Sequence, residues 1–247
     1  MSIHENRKYV KHTITRRVIL TLIIAFTLQA PVGAIAKSKA KSTDMVTYTV
    51  FHAIPAGNGA DKVDVYANNK LIIDNATPGA MATFNVERGN VQVKIYADGV
   101  LPTSDTPAVL VSKTTYLSNG ANVTFVAHLA LDGKPHIDLF KNMITSPGKK
   151  KAWLVARHVA AAPAVDIRAD GKIVLQNLTN DWERKGTFAD NKYSVDAVLA
   201  DSHTVVAIAP INVSLQSESS TVVYAWGSAA QKNLKFSVQY VPVRKES

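Results

Sequence analysis

Two histidine–aspartate pairs recur along this chain: His52 with Asp64, and His158 with Asp166. An imidazole beside a carboxylate can work as an acid–base couple or supply half of a metal site. The same residues also have a plain structural use. The ring at a strand end bonds the carboxylate or a nearby backbone group and pins the loop between them. The structural use is the expectation here, because a zinc site needs three or four ligands and no further histidine recurs between the two segments. His136 and Asp138 are two apart in a strand-like stretch and so share one face. Without a third ligand they read as a solvated face. No metal, cofactor or catalytic residue is therefore assigned. The competing reading is a metal-binding protein or a hydrolase using the His–Asp pairs, and it would gain if His52, His136 and Asp138 converged within ligand distance.

Other chemistry is thinly represented. There is no G-x-S-x-G, no H-E-x-x-H, no phosphate-binding glycine loop and no dinucleotide fingerprint. Asp98-Gly99 and Asp132-Gly133 are turns rather than calcium loops, because alternating acidic ligands are missing. The chain has no cysteine, which removes disulfides, thiolate nucleophiles and thiolate metal sites. Aromatic side chains are the remaining binding candidates: Trp182, Tyr224 and Trp226. Tyr224 and Trp226 share a strand face with Val222 and read as core. Trp182 sits in the polar run 180–185 and is expected to be exposed.

The elements that carry these residues occur twice. Residues 63–77 and 165–179 align at a constant offset of 102, and six of the fifteen paired positions are identical. Chance would give about one identity at ordinary amino-acid usage. Asn68-Asn69 in the first copy faces Asp170-Gly171 in the second, and both dipeptides suit the positive-φ positions of a tight hairpin turn. Further strand-like runs fall at 45–51, 81–86, 91–96, 108–116, 122–130 and 136–140. The second half adds runs from 153 and at 193–199, 204–211, 221–226 and 234–240, with turn residues between them. The expected fold is all-β: two tandem antiparallel β-sandwich modules, of immunoglobulin-like or transthyretin-like form, over residues 45–143 and 152–243. Residues 144–151, with Lys149-Lys150-Lys151, read as a flexible basic linker. On that reading Asp166→Ala should lower the melting temperature of the second module and leave the first nearly unmoved.

The first 36 residues read as a cleaved secretory leader. Arg7, Lys8, Lys11, Arg16 and Arg17 precede an apolar run at 18–28, and Ala34-Ile35-Ala36 offers a small-x-small cleavage site. The apolar run is shorter than the ~20 residues of a spanning helix. The mature chain is expected to begin at Lys37 with a tether over 37–44, and to carry no membrane span. Without the leader, 23 basic and 18 acidic side chains remain, a net charge of +5. That gives no case for nucleic acid. The expectation is an exported protein of the periplasm, cell surface or extracellular space. It would act as a non-enzymatic binding or structural module for an envelope polysaccharide or protein partner.

One stretch carries a resemblance. Ala156-Arg157-His158, the short loop Ala160 to Pro163, and Ala164-Val165-Asp166-Ile167 are similar to the signature of the mostly bacterial domain-of-unknown-function family 4397. The first half has a looser version in Val50-Phe51-His52-Ala53-Ile54-Pro55 and Lys62-Val63-Asp64-Val65-Tyr66, with no arginine before the histidine. The resemblance implies two tandem copies in an exported bacterial protein with a β-sandwich fold, and implies no catalytic activity.

Overall fold

The computed structural model describes residues 44–103 and 105–244. The leader expected over 1–36, and all of the 37–44 tether except Asp44, lie outside the described residues. Every strand and helix element within them is a strand. In the first half these are β1 (Met45–His52), β2 (Val63–Ala67), β3 (Lys70–Ala76), β4 (Met81–Glu87), β5 (Gly89–Val91), β6 (Val93–Ala97), β7 (Leu110–Val111), β8 (Thr115–Leu117), β9 (Asn122–Leu129) and β10 (Pro135–Lys141). The second half has β11 (Lys151–Ala161), β12 (Val165–Ala169), β13 (Lys172–Leu178), β14 (Trp182–Ala189), β15 (Lys192–Leu199), β16 (Val206–Ser214), β17 (Ser219–Ser228) and β18 (Lys235–Pro242). No helix among the described residues is long and apolar enough to cross a membrane.

The two halves share one strand order. The first has the sheets β4-β1-β9-β10 and β3-β2-β6-β7, and the second has β14-β11-β17-β18 and β13-β12-β15-β16. A short ribbon, β5-β8, belongs to the first half alone. Within each half the two sheets close on one apolar cluster. Val50, Val65, Ile95 and Phe125 are central to the first; Leu154, Ile167, Val195 and Val223 are central to the second. Strand alternation explains why one set of side chains can fill each cluster while its neighbours face outward.

The repeated segment is the β2–β3 hairpin and its counterpart β12–β13. Asn68, Asn69, Asp170 and Gly171 all have positive φ, at 48°, 64°, 50° and 75°, as the tight turn requires. Both hairpins break register at the same place, next to the repeated aspartate. Asp64 accepts the N–H of Asn75 at 3.0 Å, and Asp166 accepts the N–H of Asn177 at 2.8 Å. Both asparagines are left-handed, with φ of 58° and 49°. The identities Val, Asp and Asn thus specify one device: a carboxylate that satisfies the N–H freed by a bulge.

Three expectations change. The sheets are not wholly antiparallel, because β1 pairs parallel with β9 and β11 parallel with β17. The intervening chain crosses to the other sheet and returns, so these partners are far apart in sequence. The segment 144–151 is not a flexible linker. Arg244 N–H bonds the Ile144 carbonyl at 2.8 Å, the Trp153 indole bonds the Thr145 carbonyl at 3.0 Å, and Lys150 N–H bonds the Ser217 hydroxyl at 3.0 Å. Nor are the halves independent. The outer face of β4-β1-β9-β10 lies against that of β14-β11-β17-β18 through a third apolar cluster. Phe51, Val126 and Phe140 meet Val155, Val159, Val222, Tyr224 and Trp226 there, all buried. The described residues form one compact unit of four stacked sheets.

A polar network runs through this third interface. Arg157, fully buried, donates to Glu183 at 2.9 Å, to the Tyr224 hydroxyl at 2.7 Å and to Asn142 Oδ1 at 2.9 Å. The Tyr224 hydroxyl donates to Gln239 at 2.6 Å, and Gln239 donates across the interface to Thr49 at 2.9 Å. Glu183 lies on β14, a strand hidden in the sequence by its charged side chains. It is an edge strand, and its polar face is half in solvent.

Candidate metal centre

The hairpin β9–β10 sets up the site. His128 and His136 are direct cross-strand partners, and Asp138 lies one diagonal step away on the same face. Their rings are 4.2 Å apart between centroids. His128 Nε2 lies 3.1 Å from Asp138 Oδ2, and His136 Nε2 lies 3.0 Å from the same oxygen. A fourth donor comes from the second half. Asp181 Oδ1 is 3.5 Å from His128 Nε2 and 3.4 Å from His136 Nε2. The His128 side chain is wholly buried; those of His136, Asp138 and Asp181 are 30%, 35% and 42% exposed.

Asp181 is held in place by its backbone. It sits in the turn between β13 and β14 with φ of 67°, and its N–H bonds the His158 carbonyl at 2.8 Å. Asn180 donates to the Ala160 carbonyl at 2.6 Å and to the Leu129 carbonyl at 3.1 Å, which ties this turn to the end of β9. With the rings protonated, the hydrogen bond from His128 is the main influence holding Asp138 below the usual carboxylate range, aided by His136. Burial pushes Asp181 up, and the neighbouring Asp138 charge adds to that.

Two nitrogens and two carboxylate oxygens thus converge from three segments. Imidazole and carboxylate are the ligand types of zinc and related divalent transition metals. His136 and Asp138 were legible as one face. His128 and Asp181 were not recognised, and His52 does not join them. His128 had a signal, since it and His136 stand equally far from Asp132 in the hairpin turn. Asp181 had none, because only the stacking of the two halves brings it near.

The repeated pairs do something else. His52 Nε2 bonds the Ala60 carbonyl at 2.7 Å, and His158 Nε2 bonds the Pro163 carbonyl at 3.0 Å. Each ring pins its following loop by backbone, not by the aspartate. The second oxygen of Asp64 accepts from Gly99 N–H at 3.1 Å, and that of Asp166 pairs with His203. Asp64 also converges with Asp74 and Asp98, but Asp64 is committed to backbone donors and Asp98 to Lys62 at 3.0 Å. Because the halves are one unit, Asp166→Ala should lower the single melting transition of the whole chain, by about 1.5–3 kcal/mol. Two separate transitions, with only one displaced, would contradict this.

Among the aromatic candidates, Trp182 is 59% exposed. Tyr224 and Trp226 cannot form a surface platform, because both are buried between the stacked sheets.

Burial holds His52 below the ordinary histidine range, against the Ala60 carbonyl and Asp61, which favour its charged form. The unfolded chain therefore takes up a proton near pH 6.5 that the folded chain refuses. The neutral ring's contribution is complete above that pH and is lost as pH falls below it. Denaturation midpoints should drop on acidification, with at most ~1.4 kcal/mol per pH unit from this one proton. His52→Gln, which keeps an N–H for Ala60, should reduce that slope by this proton's share and leave the share of His158, which burial likewise holds below the ordinary range; an unchanged slope would assign the dependence elsewhere.

Residues 47–168, just under half of the chain, match the model of the family described as Domain of unknown function (DUF4397). The match runs from β1 through β11 into β12, and so includes Arg157, His158 and Asp166. No curated protein matches the chain. Among solved structures, the Bacillus anthracis TIE protein is similar at 12% identity and a TM-score of 0.24, over 73% of this chain and 33% of that one. CBMbc (family CBM26) from Eubacterium rectale Amy13K, in complex with maltoheptaose, is similar at 12% identity and a TM-score of 0.25, over 82% of this chain and 98% of that one. A candidate cell adhesion protein from Bacteroides uniformis is similar at 8% identity and a TM-score of 0.24, over 79% and 96%. Likeness at this level does not extend to a shared site.

Proposed function

We propose that this chain is an exported, non-enzymatic binding module of the cell envelope that holds one divalent transition-metal ion. Export and cleavage rest on the leader pattern, and the periplasm, the cell surface and the medium all fit it. The observation that carries the metal reading is the convergence of His128, His136, Asp138 and Asp181 on one point. Four protein ligands complete a tetrahedral shell and leave no position for water or substrate, which is the pattern of structural zinc sites and not of catalytic ones. A hydrolase built on His52–Asp64 and His158–Asp166 lacks support, because neither ring meets its aspartate. An envelope polysaccharide or protein would be met by loops and by exposed side chains such as Trp182.

Purified protein, stripped by chelator and dialysed against Zn2+, is expected to retain one metal per chain by elemental analysis. Co2+ in its place should show the intense visible absorption of a tetrahedral complex. His136→Ala combined with Asp138→Ala should abolish both signals while the chain stays folded, since the two sites are part-exposed. Failure of the unaltered protein to take up Zn2+ or Co2+ stoichiometrically would end the metal reading.

A further inference from the structure

The four donors are unevenly divided between the halves. His128, His136 and Asp138 belong to the β9–β10 hairpin of the first half, and Asp181 to the β13–β14 turn of the second. We propose that the ion is Zn2+ and that it staples the two halves together, binding the hairpin to the turn across the stacked-sheet interface. This rests on the metal reading above and adds the ion's identity and its role.

The spacing fits zinc. A tetrahedron with metal–ligand bonds of ~2.0–2.1 Å has edges of ~3.3–3.4 Å. The four imidazole–carboxylate distances are 3.0, 3.1, 3.4 and 3.5 Å, and the other two edges, nitrogen to nitrogen and oxygen to oxygen, are within 4.8 Å. The tautomer fits as well. His128 Nδ1 lies 3.1 Å from the Leu129 carbonyl, which only an N–H can satisfy. His128 Nε2 then faces two carboxylate oxygens, of Asp138 at 3.1 Å and Asp181 at 3.5 Å, and a metal ion between them would be met by all three atoms. A backbone carbonyl on the far nitrogen is the usual partner of a metal-bound imidazole. Charge balances too, because one divalent ion neutralises the two carboxylates.

The second half supplies a comparison within the same chain. Ala127 and Ala225 hold the same register position opposite His52 and His158. His128 therefore corresponds to Trp226, and through the next strand His136 corresponds to Lys235 and Asp138 to Ser237. The 102-residue offset of the hairpins makes Gly79 the counterpart of Asp181, and both residues are left-handed, with φ of 99° and 67°. At that opposite corner Trp226 crosses the interface. A methyl on Gly79 would stand 3.5 Å from the indole, while the indole N–H bonds Ser237 at 2.9 Å and Lys235 Nζ lies 4.2 Å from the ring. An indole closes one corner onto the turn of the other half. At the equivalent corner all four residues are different, and together they make a set that would close around a metal.

The full chain, metal-free and then saturated with Zn2+, should be compared with Asp181→Gly. Glycine suits the left-handed turn and is the residue at the equivalent position, so the variant keeps its fold. In the unaltered protein a hundredfold excess over Kd should raise Tm by ~5–10 °C. Zn2+ should also slow amide hydrogen exchange both in residues 127–137 and in residues 177–183. Asp181→Gly should bind Zn2+ at least ~10-fold more weakly and show slowed exchange in 127–137 alone. If Zn2+ binds with unchanged affinity in the variant, or leaves the 177–183 turn unprotected in the unaltered protein, the metal site stands and the staple falls. If the unaltered protein binds no Zn2+, both fall together.

Discussion

Arg157→Ala should cost the folded chain about 3–5 kcal/mol, the range for removing one partner from a buried ion pair. For a chain of this size that corresponds to a fall in Tm of roughly 6–20 °C. The guanidinium is buried, its neutral partners Tyr224 and Asn142 are buried with it, and Glu183 is mostly so. It also lies over the Phe140 ring at 4.7 Å. Truncation therefore leaves the Glu183 carboxylate without its guanidinium partner, and takes one bond each from the Tyr224 hydroxyl, which keeps Gln239, and from Asn142 Oδ1, which keeps Thr124. Arg157→Lys should recover little, because one ammonium cannot reproduce the planar fork that reaches four acceptors, the Lys141 carbonyl among them. The loss should appear as one transition. The three tryptophans all lie in the second half, so their fluorescence and far-ultraviolet circular dichroism, which senses both halves, should unfold together. A loss below about 1 kcal/mol, or non-coincident transitions, would mean the network does not couple the halves.

Trp226→Ala should be of similar size, about 3–5 kcal/mol, as for other large buried side chains cut to alanine. The indole meets Phe51 edge-on at 5.8 Å, bonds Ser237 and supports Lys235. Its removal opens a cavity between the halves and not within either core. Trp226→Phe should keep most of the apolar contact and lose the Ser237 bond, costing about 1–2 kcal/mol. Denaturant midpoints at constant m-value give both numbers. An alanine variant within 1 kcal/mol of the parent would show that the corner collapses without strain.

Local chemistry was readable in the sequence, and long-range placement was not. The Asn68-Asn69 and Asp170-Gly171 turns, the repeated hairpin and most strands carry their signals within a few residues. The β14 strand escaped because Glu183, Arg184 and Lys185 look like loop, though Glu183 is the partner of the buried Arg157. The parallel pairs β1–β9 and β11–β17 could not be read, since nothing local in a strand names a distant partner. For the same reason 144–151 looked like a tether. Its lysines are polar, and only the tertiary structure shows Ile144 packed on the third cluster. The resemblance that singled out Arg157-His158 pointed to the right residues without their roles. The histidine pins a loop, and the arginine joins two sandwich-like halves.

Stacking equivalent sheet faces on one another has a consequence for how the two ends of the interface can differ. It is the geometry of a twofold homodimer whose subunits have been joined end to end. In a true homodimer every residue at one end of the interface appears again at the other, so a change useful at one end must be tolerated at both. Once the subunits share a chain, that restriction is gone. Each end can then differ from the other, and in this protein one end carries an indole and the other two imidazoles and two carboxylates.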